Sequence, residues 1–118
     1  MLKKVNDTTQ ALGWSDNITL KNVEGFRQEM NNFLKKDEEQ LILNLANINY
    51  INSAGLGIIA DSVMQARRNQ KELVIADIQQ AVKEIFSIVK FTSFMKVFES
   101  EKEAIEYFMV NQNEKENK

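Results

Sequence analysis

The stretch LILNLANINYINSAGLGIIADSVMQ, residues 41–65, joins two patterns of different period. LILNL, residues 41–45, is a compact apolar run of the kind that fills a buried strand. Asn47 and Asn49 are turn-type residues that take the chain out of that strand. Tyr50 and Ile51 then lead into Asn52, Ser53 and Ala54, followed by a leucine between Gly55 and Gly57. From Leu56 the apolar residues Ile59, Val63 and Ala66 keep helical spacing, Ile58 broadens their face, and the helix is predicted to end around Arg68–Gln70. A strand, a small-residue turn and a helix in this order are the building unit of an α/β fold.

The flanking sequence repeats the unit. On the amino side, TTQALG (residues 8–13) forms a short strand ending at Gly13, preceded by a polar segment with little to offer a sheet. Between Thr19 and Lys36, Val23, Phe26, Met30, Phe33 and Leu34 form one helical stripe, with Asp16, Asn17 and Thr19 as cap-type residues at its start. On the carboxyl side, ELVIA (residues 72–76) is a second buried-strand run. Asp77 and Gln80 match a capping box before a helix carrying Ile78, Val82, Ile85 and Phe86. A short strand is expected near Val97, and Ser100 with Glu103 forms another capping-box pattern. The last helix buries Ala104, Ile105, Tyr107 and Phe108, and residues 111–118 form a polar tail expected to be disordered. The alternation predicts one α/β domain with a mostly parallel sheet of about four to five strands, flanked by about four helices through right-handed crossovers.

Composition excludes several functions. The chain of 118 residues has a formal net charge of -2, which gives no electrostatic footprint for nucleic acid. It contains no cysteine and no histidine, so thiolate chemistry, thiolate metal sites and a Ser–His–Asp machine cannot be built from it alone. No carboxylate cluster has metal-site spacing, and no cofactor is expected. No apolar run approaches the ~20 residues of a spanning helix, and the amino end lacks a signal-peptide core. These features predict a cytoplasmic, non-enzymatic protein without membrane insertion.

The residues after Asn52 admit a structural and a functional reading. Structurally, Ser53 caps the helix while Gly55 and Gly57 allow a tight turn and close packing. Several catalytic motifs fail: no G-K-[ST] follows, Ala60 occupies the third glycine position of G-x-G-x-x-G, and S-A-G-L-G is not G-x-S-x-G. Functionally, a hydroxyl at a helix start tolerates a phosphoryl group, which adds about -1.5 to -2 charge at neutral pH. Placed on a docking surface, that charge can abolish binding without unfolding the domain.

Y-I-N-S-A-G-L-G-I-I after L-I-L-N-L resembles the signature of the STAS domain, in the type found in anti-sigma-factor antagonists of bacterial partner-switching systems. E-L-V-I-A-D-I-Q-Q-A-V-K-E-I-F-S-I-V-K-F and F-M-K-V-F-E-S-E-K-E-A-I extend the resemblance over about residues 10–110, giving a domain over 1–110. The resemblance implies an antagonist that binds an anti-sigma factor serine kinase and frees a sigma factor. It makes Ser53 the phosphorylation site, reset by a metal-dependent serine phosphatase. It implies a partner-binding surface of Trp14, Asp16, Asn17, Asn52, Ser53, Ala54, Gly55, Leu56 and Gly57. For Asp16, helix-start capping is the structural alternative. The same resemblance admits a non-phosphorylated STAS scaffold subunit of a lipid- or anion-transport complex. Oligomeric state is not fixed.

Two departures from the family pattern stand out. The position before the serine, normally aspartate, is Asn52, which keeps hydrogen-bonding capacity but drops the charge. Losing a carboxylate that orients the hydroxyl would slow modification, whereas losing an anion beside a future phosphate makes the modified state less costly. The family's first strand also has little room here, so the sheet edge is open, partner-paired or irregular. Trp14 fits either an interface anchor or a packed edge position. Phe91, Phe94, Met95 and Phe98 are expected to close the core beneath the last helix, and Arg67, Arg68 and Lys71 to complement the end of the helix that follows the motif.

Overall fold

The computed structural model describes the backbone of residues 1–116 and the side chains of residues 1–111. Strands β1 (Leu2–Lys4), β2 (Thr9–Gly13), β3 (Gln40–Asn44), β4 (Glu72–Ala76) and β5 (Val97–Phe98) form one sheet in the order β1-β2-β3-β4-β5. Helices α1 (Val23–Leu34), α2 (Ser53–Arg68), α3 (Gln80–Ile88) and α4 (Glu101–Glu116) complete the domain, with a 3₁₀ turn at Phe91–Ser93. β2 to β5 are parallel, and β1 runs antiparallel to β2. The α/β architecture with a mostly parallel sheet is as the sequence indicates.

Sequential strand order requires each crossover to advance the same way. With right-handed crossovers, that puts successive connecting helices on one face. Leu41 and Leu43 point to that face and pack with Phe26, Met30, Phe33, Ile59, Val63, Val82 and Phe86 from α1, α2 and α3. Ile42, one residue out of phase, points to the other face and meets Ala11, Val74, Ala104 and Phe108 under α4. Both faces of the central strands are therefore buried, which explains why LILNL and ELVIA show no polar alternation.

Several local expectations change. The amino end supplies a three-residue edge strand, with Leu2 opposite Leu12 and Lys4 opposite Gln10. Its exposed Leu2, Lys3 and Lys4 form a short, charged edge of the kind that resists further pairing. α1 begins at Val23 rather than Thr19, with Asn22 as its N-cap and no side-chain cap bond. α2 begins at Ser53, three residues before Leu56. The expected Asp77–Gln80 capping box does not form: Gln79 is the N-cap of α3, and Asp77 sits at φ 60° facing away toward α4. Ser100 Oγ does accept the Glu103 N–H at 3.1 Å, but Glu103 reaches back to the Glu99 N–H rather than to that of Ser100.

Phe91 and Met95 join the core beneath α2 and α3, so of the four residues Phe98 alone lies under α4. The Lys71 ammonium donates to the Leu34 carbonyl at 3.0 Å, completing the end of α1 rather than that of α2. The polar tail expected over 111–118 is backbone helix as far as Glu116, and its last two residues lie outside the described set.

Candidate functional site

The carboxyl ends of the parallel strands gather two loops, residues 14–22 after β2 and residues 45–52 after β3. A single parallel bridge, Ile18 with Ile51, joins them. Ile18 N–H donates to the Tyr50 carbonyl at 3.1 Å, and Asn52 N–H donates to the Ile18 carbonyl at 3.0 Å. Asn17 completes the join: its Oδ1 accepts from Asn49 N–H at 2.8 Å and Tyr50 N–H at 3.2 Å, and its Nδ2 donates to Asn49 Oδ1 at 3.0 Å. Asn22 extends the chain of amides, donating to the Asn17 carbonyl at 2.7 Å and accepting the Thr19 N–H at 2.9 Å. Asn17 is thus a loop tie rather than a helix cap.

Asn52, with extended backbone at φ -79° and ψ 172°, is the N-cap of α2, its Oδ1 accepting the Gly55 N–H at 2.8 Å. Ser53, the residue expected to cap on the structural reading, is the first helical residue. Its side chain is exposed and makes no hydrogen bond among the described residues. The Ser53 hydroxyl therefore has no bonding duty in the fold among the described residues.

The glycines divide between packing and surface. A Cβ at Gly55 would stand 2.7 Å from Ile18 Cγ2 and 2.9 Å from Ile51 Cγ1, so only glycine lets α2 sit on the bridged loops. Gly57 has nothing within 4 Å of such a Cβ and lies on the surface with Ala54 and Ser53. Leu56 is half-buried against the core. The exposed start of α2 is therefore smooth: Ser53, Ala54 and Gly57 present no bulky side chain.

Asp16 is exposed, and no ion pair holds it among the described residues. Trp14 is half-buried, its ring edge-on to Phe26 at 5.2 Å between centroids, so it serves the packed edge of the core. Beside Asn52 lies a hollow of about 490 Å³ lined by Thr19, Leu20, Lys21, Tyr50 and Asn52. Leu20 is 88% exposed and Tyr50 49% exposed. Sequence reasoning missed Leu20, Lys21 and Tyr50. Leu20 is three residues ahead of Val23 and in phase with the buried stripe; because α1 starts only at Val23, the turn throws it outward.

A second polar group lies beyond Asn44, under α4. Asn44 Nδ2 donates to Glu101 Oε2 at 2.6 Å and to Asp77 Oδ2 at 3.1 Å, and Glu101 N–H donates to the same Asp77 oxygen at 3.1 Å. Burial raises the Glu101 pKa, but hydrogen bonds from Lys3 and Asn44 outweigh it and hold the carboxyl below its usual range. These contacts fasten β1, β3, β4 and α4 together. Among the described residues no group of three or more acidic, histidine or cysteine side chains could hold a metal ion. No helix among them is long and apolar enough to cross a membrane.

Comparison with known proteins places this geometry. The family described as STAS domain matches residues 2–104. BtrV of Bordetella bronchiseptica, a candidate anti-sigma factor antagonist, is 33% identical over 87 residues, 74% of this chain and 75% of its own. The anti-sigma factor antagonist SpoIIAA superposes in its unphosphorylated form with a TM-score of 0.75 at 16% identity, over 92% of this chain and 95% of that one. Its phosphorylated form, from Bacillus, gives 0.69 at 16% identity, over 92% and 97%. The STAS domain of a SulP transporter from Vibrio cholerae gives 0.73 at 11% identity, over 93% and 88%. At these identities the solved structures establish the fold alone.

Proposed function

The chain belongs to the STAS domain family, and from that footing we propose that it is an anti-sigma-factor antagonist switched at Ser53. The family match and the relative BtrV make it an antagonist-like STAS domain. On this reading the STAS domain occupies residues 1–110. The unmodified protein docks an anti-sigma factor serine kinase on the surface formed by Asp16, Ser53, Ala54 and Gly57. Asn17, Asn52, Gly55, Leu56 and Trp14 hold that surface in place from beneath or beside it. Docking frees the sigma factor. The kinase then transfers the γ-phosphoryl group of ATP to the Ser53 hydroxyl, releasing ADP and a proton. The added dianion at the centre of a smooth contact ends the complex. A metal-dependent serine phosphatase restores the hydroxyl. The protein works as a binding partner in the cytoplasm and not as an enzyme.

One observation carries this reading: Asn52 performs the cap, so Ser53 is exposed and free of structural duty. That SpoIIAA is known in both phosphorylated and unphosphorylated forms supports a fold that accepts either state. The test is phosphopeptide mapping after incubation with the cognate kinase and ATP, beside binding measurements. Ser53→Ala should bind the kinase and resist modification, and Ser53→Asp should not bind. Equal binding by Ser53→Asp and wild type would sink the switch. Modification at Ser62 instead is disfavoured, since Ser62 is 3% exposed.

Asn52 also favours a second reading, a STAS scaffold in a lipid- or anion-transport assembly, because an amide stands where the phosphorylation motif has a carboxylate. Recovery of transport ATPase components and no kinase with the native protein would select it.

A further inference from the structure

We propose that the carboxyl end of α2 and the turn between α3 and β5 form a second docking surface, which takes an acidic, leucine-bearing segment of a partner protein. The inference is independent of the Ser53 reading.

Charge is distributed unevenly along this chain. Residues 62–71 and 85–98 hold Arg67, Arg68, Lys71, Lys90 and Lys96 and no aspartate or glutamate, although the whole chain has 15 Lys+Arg against 17 Asp+Glu. The fold brings the two segments together. Arg67 Nη2 donates to the Phe94 carbonyl, and Arg67, Thr92, Ser93, Phe94, Met95 and Lys96 line one recess of about 430 Å³. Lys90 opens the turn that walls it, its carbonyl accepting the Ser93 N–H at 3.2 Å and the Ser93 hydroxyl at 2.7 Å. Lys71 turns away, onto the Leu34 carbonyl.

The four remaining cations are exposed and form no ion pair among the described residues. Two of them are held without being neutralised: Arg67 by the Phe94 carbonyl, and Lys96 over the Tyr107 ring, 5.5 Å from its centroid. Glu72, the carboxylate on the far side of that ring's hydroxyl, spends both oxygens on it at 2.8 and 2.9 Å. Cations already positioned lose less side-chain freedom on pairing than free ones do.

Apolar groups are exposed on the same elements. Ile88 at the end of α3 is 78% exposed, Val89 and Met64 are exposed as well, and Met64 Sδ lies 3.8 Å from Arg67 Nη1. Apolar side chains beside unpaired guanidinium and ammonium groups match a partner that carries carboxylates and leucines together. Nucleic acid fits less well, because the chain's net charge of -2 opposes a phosphate backbone and the apolar groups find no counterpart on it. About 20 Å of helix separates Arg67 from Ser53, so an occupant here leaves the start of α2 open.

The probe is a synthetic peptide of glutamates interspersed with leucines, added to the isotope-labelled full-length chain and followed by NMR. Saturable shifts should appear at Met64, Arg67, Ile88–Lys90 and Thr92–Lys96 and leave Ser53 and Ala54 unmoved. Arg68→Glu combined with Lys90→Glu removes no side-chain hydrogen bond among the described residues. It should weaken affinity by about tenfold or more with the melting temperature unchanged. Salt at about 0.5 M should weaken the wild-type complex in the same direction. A glutamate peptide without leucine should bind more weakly than the mixed one. The absence of saturable shifts, or shifts confined to the start of α2, would overturn the assignment. So would equal affinity in the double variant. Equal binding at these residues by a DNA duplex or by phosphatidylglycerol vesicles would also overturn it, since the patch would then attract anions without selecting a protein.

Discussion

Asn52 Oδ1 accepts the Gly55 N–H at 2.8 Å, and Gly55 in turn has no room for a Cβ against Ile18 and Ile51. Cap and glycine form one unit that closes the start of α2 over the bridged loops. The residue between them in sequence that looks most like a cap, Ser53, takes no part in it. The capping role of Asn52 and the role proposed for Ser53 are thereby separated by one residue.

That separation sets the cost of two neighbouring substitutions. Asn52→Ala should destabilise the domain by about 1 kcal/mol, the usual loss of an N-cap side chain. Asn52→Asp should retain the cap. Ser53→Ala should stay within about 0.5 kcal/mol of wild type, as for exposed residues without partners. Urea denaturation of the three variants measures the order, and a Ser53→Ala loss as large as that of Asn52→Ala would refute it.

The two glycines of the motif should respond with opposite sign. Gly55→Ala forces a methyl onto Ile18 and Ile51 and should cost about 1–3 kcal/mol through overpacking. Gly57→Ala meets open space inside a helix and should stabilise by about 0.5–1 kcal/mol. If a kinase docks across Gly57, the same stabilised variant should bind it more weakly. Thermal melts paired with affinity measurements separate the effects.

Leu20 and Tyr50 test whether the hollow belongs to the contact surface. Leu20→Ser should leave stability within about 0.5 kcal/mol of wild type, since the side chain is almost fully exposed. Binding to the anti-sigma kinase should fall by about tenfold or more if Leu20 enters the interface core. Unchanged affinity would confine docking to the Asp16–Ser53 side.

Asn17 holds the two loops through three hydrogen bonds to Asn49 and Tyr50. Asn17→Ala should cost about 1–2 kcal/mol and loosen the 45–52 loop. Hydrogen exchange at Asn49 and Tyr50 should accelerate well before the β3 amides do. Uniform exchange across both regions would show that Asn17 is not a local tie.

An alkaline limb of stability should trace to Tyr107. Its hydroxyl donates to both Glu72 oxygens, at 2.8 and 2.9 Å. Burial, then the Glu72 hydrogen bond and charge, push its pKa up to about 12, against about 10 in an unfolded chain. A phenol whose folded pKa is raised holds its proton more tightly in the native state. Its contribution is complete below pH of about 10 and is lost as pH rises toward 12. Wild type should lose stability over that window relative to Tyr107→Phe. Parallel pH profiles for the two proteins would contradict the assignment.

Pattern alone determined the alternation of strands and helices, because LILNL and ELVIA are continuous apolar runs while residues 23–34 and 56–66 keep helical spacing. It also determined what chemistry is absent, since a chain without histidine or cysteine lacks the commonest catalytic and metal-binding groups. The motif order from residue 41 onward carried the family, and so the candidate serine. Position within the local motif was not legible. Ser and Asn are both good caps, and only the packing of Gly55 on the Ile18–Ile51 bridge decided that α2 starts at Ser53 with Asn52 as its cap. The β1 edge strand escaped because three exposed residues have no apolar pattern; they are held by pairing with β2. Leu20 and Lys21 escaped for a related reason. Their exposure depends on α1 starting at Val23, which is set by amide contacts among Asn17, Asn22 and Asn49 spread over more than thirty residues. Contacts between distant segments leave no period in the sequence, and they fix which side chains face a partner.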